Sequence, residues 1–114
     1  MAKGDKKKID KAVESLMKKG INVRPLVEGI KTGGDIAKEH AEECRLDHLL
    51  ESWGWLMENY GRLRNKMEKA ETEGVVSFDE RLRLERPINM FIEGKRKEIA
   101  KALKTKCGCK SVFW

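Results

Sequence analysis

A long helical pattern of apolar side chains runs through the middle of this 114-residue chain and limits the folds that it can adopt. The apolar positions alternate at spacings of three and four: Leu46, Leu49, Trp53, Leu56, Tyr60, Leu63, Met67 and Ala70, with Leu50 and Met57 beside them. Because Asp35 is a suitable N-cap, the pattern predicts one helix from Asp35 to Glu73. Such a helix is about 58 Å long at 1.5 Å per residue. A chain of this size can cover it only if the rest of the chain runs back along it or another subunit packs on it.

The residues that follow this helix are predicted to form its partner. A turn is expected near Val76, and Ser77 or Asp79 can cap the helix after it. Proline disfavours the helical conformation of the preceding residue, so a kink or break is expected at Pro87. The helix then continues to Gly108. The predicted fold is all-α, a long antiparallel helical hairpin with a small basic helical unit at its N-terminus.

The N-terminal third is expected to be separate from the hairpin. Apolar spacing predicts a short helix over Ile9–Lys19 and a second one over Val23–Ile30, after which Gly33 and Gly34 interrupt regular structure. The chain therefore divides into residues 1–34, a basic helical segment, and residues 35–114, the hairpin and tail that serve oligomerisation. Short helices joined by tight turns are compatible with a helix-turn-helix-like DNA contact.

Charge is concentrated at the two ends of the chain. The formal net charge is +6, and it divides into +5 for residues 1–34, −4 for residues 35–74 and +5 for residues 75–114. Clustered Lys and Arg neutralise phosphates and release counterions, so the basic ends favour DNA as a partner. The alternative is a solubilising face with a loose tail. The candidate DNA-binding residues are Lys3, Lys6, Lys7, Lys8, Lys11, Lys18, Lys19, Arg24 and Lys31.

The cysteines and one histidine form a candidate metal site. His40 and Cys44 lie one helical turn apart, and an antiparallel hairpin that turns near Val76 brings Cys107 and Cys109 to the same end. One nitrogen and three sulfur donors suit tetrahedral zinc. The favoured prediction is no cofactor, with zinc as the alternative. Ordinary thiols, or a disulfide between Cys44 and a tail cysteine, are the other possibilities.

Two glycines within the long helix indicate a packing surface. Gly54 and Gly61 are seven residues apart and share one helix face, although each glycine costs about 1 kcal/mol relative to alanine inside a helix. Trp55 lies away from the seam. Gly54, Trp55 and Gly61 are therefore the candidate interface between subunits, against the alternative that they are exposed by chance.

No motif for catalysis, membrane insertion or secretion is found. The sequence has no Gly-rich phosphate loop, nucleophile elbow or H-E-x-x-H motif, so an enzyme is not expected. No apolar run is long enough to span a membrane, and the lysine-rich start has no apolar segment behind it. Three cysteines do not suit a simple secreted disulfide framework. The expected location is the cytoplasm, of the host cell if the protein is viral.

Residues 44–109 resemble the C-terminal part of the bacteriophage small terminase subunits. That family shows an Asp that starts a long helix with aromatic residues, a charged run that ends in Gly, a loop, and a Pro opening a second helix that ends near a Gly. The corresponding features here are Asp47, Trp53 to Tyr60, Arg62 to Gly74, Pro87 and Gly108. The separations from Gly74 to Pro87 and from Pro87 to Gly108 are similar to those of the family.

This resemblance implies a non-catalytic subunit that forms a ring and recognises viral DNA for packaging. Its partners would be DNA, further copies of itself, and a large terminase subunit with ATPase and nuclease activity. A helical adaptor that binds another protein through its helical face is the alternative from the sequence.

Overall fold

Four helices make up the part of the chain that the structure describes. The structure is a computed structural model, and it describes the backbone of residues 3–108 and the side chains of residues 6–108. The helices are α1 (Lys3–Lys18), α2 (Arg24–Glu42), α3 (Leu46–Thr72) and α4 (Phe78–Lys106). No strand occurs among these residues, so the all-α prediction is confirmed.

Local signals place several helix ends where the sequence predicts them. Ser77 caps α4, because its hydroxyl accepts a hydrogen bond from the backbone amide of Glu80 while the Glu80 carboxylate accepts one from the amide of Ser77. Gly74 follows α3 with a φ of 75°, in the left-handed region that ends helices. Pro25 lies in the first turn of α2, where its missing amide removes no helical hydrogen bond.

The predicted long helix from Asp35 to Glu73 is wrong. The chain leaves helical geometry between Glu42 and Leu46, where Cys44 has a φ of 61°. Asp35 does not begin a helix but lies inside α2, which starts eleven residues earlier at Arg24. The predicted division between residues 34 and 35 therefore falls within a helix.

Glycines in α2 allow close helix packing instead of ending the helix. A Cβ atom built on Gly33 would lie 3.0 Å from the Cβ and 3.3 Å from the Cα of Leu56 on α3. One built on Gly34 would lie 3.0 Å from the ring of Phe91 on α4. At Gly29 the distance to the Asn59 side chain would be 2.8 Å. The three glycines are buried, so tertiary packing offsets their low helix propensity.

Helices α3 and α4 pack on α2, whereas α1 packs on α4. Helices α3 and α4 are antiparallel: Cys44 is bonded to Cys107 at one end, and Arg81 donates a 3.1 Å hydrogen bond to Glu71 near the other. Helix α2 is antiparallel to α3 and parallel to α4, and it packs on both. Ion pairs tie α2 to α4 along its length: Asp35–Lys95, Lys38–Glu98 and Glu42–Lys106. The buried face of α2 therefore packs between the two antiparallel helices α3 and α4.

Helix α4 continues through Pro87, so the expected break there does not occur. A proline inside a helix costs about 3 kcal/mol through its lost hydrogen bond and its clash with the preceding turn. Pro87 is buried, and the following residue Ile88 lies in the core with Leu84 and Phe91. Burial of these apolar side chains offsets that cost.

We predict that Gly33→Ala destabilises the protein whereas Gly94→Ala, on the exposed side of α4, stabilises it. Both variants gain the helix propensity of alanine, about 1 kcal/mol. Only Gly33→Ala forces a methyl group against the backbone of α3, because nothing lies within 4 Å of a Cβ atom at Gly94. The free energies of unfolding from urea titration should therefore differ by roughly 1–3 kcal/mol. Equal values would show that the α2–α3 contact yields without strain.

Candidate functional site

A groove lies between α1 and α4 in the described part of the chain. Its volume is about 750 Å³. Four basic side chains, one carboxylate and one hydroxyl line it, together with an apolar floor. These residues are Lys8, Lys11, Arg83 and Arg86, then Asp79 and Ser15, and finally Ala12, Leu82, Pro87 and Met90.

Helix periodicity places these cations on one side of the groove's two helices. In α1, Ile9 and Val13 are buried, which turns Lys8 and Lys11 toward solvent. In α4, Leu84 and Ile88 are buried, which leaves Arg83 and Arg86 on the exposed side. The same amphipathic pattern that forms the core therefore brings four positive charges together.

The cations of the groove have no acidic partner within the described part of the chain. Among the described residues, no ion pair involves Lys8, Lys11, Arg83 or Arg86. Asp79, at the N-terminal end of α4, is the single acid that lines the groove. The groove therefore has a net positive charge that solvent and counterions must balance, which is the electrostatic property of an anion-binding surface.

Many other cations of the molecule are already neutralised within the fold. Burial lowers the pKa of Lys95, but the hydrogen bond and the charge of Asp35, together with Glu98, outweigh it, so the pKa is raised overall. Hydrogen bonds to Glu85 and Glu71 raise the pKa of Arg81. Such cations stabilise helix packing, so they are poor candidates for binding an external anion.

A basic stripe extends the groove along α4. Lys97, Lys101 and Lys104 follow Arg83, Arg86 and Met90 on the same face of the helix, at spacings of three, four and seven. All three lysines are exposed, and none is ion-paired within residues 6–108. From Arg83 to Lys104 the stripe is about 31 Å long at 1.5 Å per residue.

The structure separates the candidate DNA-binding residues of the sequence into two sets. Lys19 hydrogen-bonds Glu80, whose pKa this contact lowers, and Lys31 pairs with Asp10 at 3.1 Å, so both cations are neutralised. The side chain of Lys3 lies outside the described residues. The remaining candidates are exposed: Lys6, Lys7, Lys8, Lys11, Lys18 and Arg24.

Sequence reasoning missed the half of the groove that α4 contributes. Arg83 and Arg86 lie three residues apart, and Met90 follows them on the same face. That spacing was visible in the sequence and could have identified a basic face. The expected break at Pro87 concealed it, because residues on either side of a break need not share a face.

The cysteines meet at the predicted end of the molecule, as a disulfide. Cys44 and Cys107 are bonded, with their Cα atoms 5.6 Å apart. His40 lies nearby with its ring 5.2 Å from that of His48. Cys109 lies outside the described residues. Within the described range no three His, Cys, Asp or Glu side chains are grouped to hold a metal ion.

The predicted interface residues lie on two different faces of α3. Gly54 and Gly61 face open space, since nothing lies within 4 Å of a Cβ atom built on either. Trp55 is 45% exposed, but one edge of its ring would be 3.3 Å from a Cβ atom on Gly33. Leu46 and Leu50, expected in or beside the seam, are 44% and 53% exposed and lie on the Gly54 side.

Comparisons with known proteins leave the family open. No family model matches the chain, and no curated protein or solved structure matches it either. The resemblance to small terminase subunits therefore stays a prediction. None of the described helices has an apolar stretch sufficient to cross a membrane.

We predict that reduction of the Cys44–Cys107 disulfide lowers the free energy of unfolding by about 4 kcal/mol, because the bond joins residues 63 positions apart and limits the unfolded chain. Urea unfolding with and without a thiol reductant measures this change. With or without the reductant, the free energy of unfolding of Cys44→Ser should equal that of the reduced original protein. The free energy of unfolding of Cys109→Ser should still fall on reduction. An oxidised protein that is no more stable than Cys44→Ser would contradict the prediction.

Proposed function

We propose that this chain is a non-catalytic DNA-binding protein that holds the sugar–phosphate backbone against the groove between α1 and α4. One observation carries the proposal: Lys8, Lys11, Arg83 and Arg86 face one groove and have no acidic partner among residues 6–108. Lysine and arginine side chains are the usual ligands of phosphate oxygens, and arginine can bind them through two parallel hydrogen bonds.

The length of the basic surface supports a duplex as the anion. The stripe from Arg83 to Lys104 is about 31 Å long, close to the roughly 34–36 Å of one turn of B-DNA. A small anion would not need cations beyond the groove itself. The floor of the groove is apolar and has no aromatic ring, so it lacks the stacking platform that proteins use for unpaired bases. Binding is therefore expected to depend on phosphates and not on base sequence.

We predict that Arg83→Gln/Arg86→Gln weakens binding to duplex DNA and reduces its salt dependence. Each phosphate contact contributes about 0.9 to the slope of log K against log salt concentration, so the slope should fall by about 2. Fluorescence anisotropy of a labelled duplex, measured at several salt concentrations, gives both quantities.

The matched control removes the same net charge elsewhere. Arg62→Gln/Lys106→Gln deletes two exposed cations that pair with Glu58 and Glu42, outside the groove. It should leave the slope close to that of the original protein. If both variants change the slope equally, binding follows net charge and the groove is not the site.

A narrower proposal is a small terminase subunit of a bacteriophage. It is supported by the resemblance of residues 44–109, and it requires a ring of subunits and a large ATPase-nuclease partner. Measurement of the solution mass tests it first, because a monomer cannot form the ring that packaging subunits use.

The second candidate function is a helical adaptor that binds another protein. Its support is the exposed apolar side chains on two faces of α3, with Leu50 on one face and Trp55 on the other. This candidate requires partner binding that is weakened by Trp55→Ala and is indifferent to nucleic acid. DNA binding that fails at every salt concentration would favour it over the groove proposal.

A further inference from the structure

The solvent-exposed side of α3 carries an apolar stripe that no part of the described chain covers. The stripe consists of Leu46, Leu50, Gly54, Met57 and Gly61, which recur at spacings of three and four and so share one face. Leu46, Leu50 and Met57 are 44%, 53% and 39% exposed. The stripe does not touch the groove between α1 and α4, and the proposed DNA binding does not use it.

We propose that a second copy of this chain covers the stripe, with the two α3 helices antiparallel about a two-fold axis between Gly54 and Met57. This pairing places Leu50 of one copy opposite Gly61 of the other, and Met57 opposite Gly54. Each large side chain then meets a position without a side chain, so the surface is complementary to itself, as a two-fold interface requires. Dimerisation through this face goes beyond the proposed DNA binding and differs from the ring that the terminase proposal requires.

The glycines are suited to this role because they are open in the single chain. Nothing lies within 4 Å of a Cβ atom built on Gly54 or Gly61, so neither glycine is required by packing inside the bundle. Each lowers helix stability by about 1 kcal/mol relative to alanine. The contrast with Gly33 is direct, since there a neighbouring helix occupies the space.

One acid and one cation at the two ends of the stripe favour the antiparallel arrangement. Asp47 lies three residues before Leu50 and Arg64 lies three residues after Gly61, so both continue the spacing of the stripe. A parallel pair would place Asp47 beside Asp47 and leucine against leucine. An antiparallel pair brings Asp47 of one copy to the level of Arg64 in the second copy.

The size of the stripe sets the expected strength of the dimer. From Leu46 to Gly61 it is about 22 Å long, and one helix per subunit buries less than the roughly 800 Å² per partner of a standard stable interface. We therefore expect a dimer whose population rises with protein concentration. Sedimentation equilibrium without DNA should show the mass change from the 13.1 kDa of one chain to that of two.

Lysine substitutions at the glycines test the interface without harming the fold. Gly54→Lys/Gly61→Lys fills both hollows with charged side chains and should leave a monomer at concentrations at which the original protein is a dimer. Lysine has a higher helix propensity than glycine, and nothing lies within 4 Å of a Cβ atom at either position, so the variant chain should stay folded. Gly94→Lys on α4 is the control and should still dimerise. A dimer that survives the double substitution would overturn the proposal.

Charge reversal tests the antiparallel direction. Asp47→Arg and Arg64→Asp should each weaken the self-association of its own chain. An equimolar mixture of the two variants should recover dimers that contain one copy of each, which native mass spectrometry distinguishes by mass. A mixture that stays monomeric, or an original protein that is a monomer or a larger ring, would overturn the pairing. Because no DNA is present, these outcomes leave the groove proposal to be judged by its own experiment.

Discussion

The close approach of α2 to its neighbours is the constraint on which the rest of the structure depends. Gly29, Gly33 and Gly34 remove side chains where α3 and α4 press on α2, so that one helix can lie inside a bundle of only about one hundred residues. With 39% apolar residues, the chain cannot build a thick core from large side chains alone. Backbone contact at glycine supplies part of the packing that bulk apolar volume would otherwise provide.

This arrangement also determines where the charges of the molecule are neutralised. Because α2 runs parallel to α4, its acids Asp35 and Glu42 lie beside Lys95 and Lys106. The net charge of residues 35–74 is therefore balanced against the C-terminal basic segment inside the fold. Among the described residues, the cations left without an ion pair include Lys8, Lys11, Arg83 and Arg86, which line the groove between α1 and α4. Part of the positive charge of the composition is thus concentrated at one place.

Local signals in the sequence predicted helix ends better than helix continuity. The turn near Val76 and the cap at Ser77 depend on neighbouring residues alone, and both are found in the structure. The same turn position predicted that Cys44 and Cys107 would meet, and the structure joins them. The prediction missed the break at Cys44 because it placed the N-cap of the long helix at Asp35, although the apolar pattern begins only at Leu46.

Glycine and proline were misjudged for one physical reason. Gly33, Gly34 and Pro87 disfavour helix in isolation, but each is buried against another helix here. Tertiary contacts worth a few kcal/mol outweigh a propensity of about 1 kcal/mol per glycine, and a sequence without a known fold gives no measure of those contacts. For the same reason only one side of the groove was predicted. The α1 side follows from a run of lysines in the sequence. The α4 side could be predicted only if the helix was expected to continue through Pro87.

The α3 stripe and a ring of the terminase kind imply different modes of assembly. A two-fold pairing through Leu50, Gly54, Met57 and Gly61 is closed after two copies, because each subunit uses the same face. A ring of the kind that small terminase subunits form needs two different faces on each subunit. The α3 stripe can contribute to a ring only if another surface, such as the partly exposed side that bears Trp55, meets a different copy. A dimer would therefore argue against a ring-shaped packaging subunit. It would argue instead for a DNA-binding protein with two grooves, since two linked sites raise the effective affinity for one duplex.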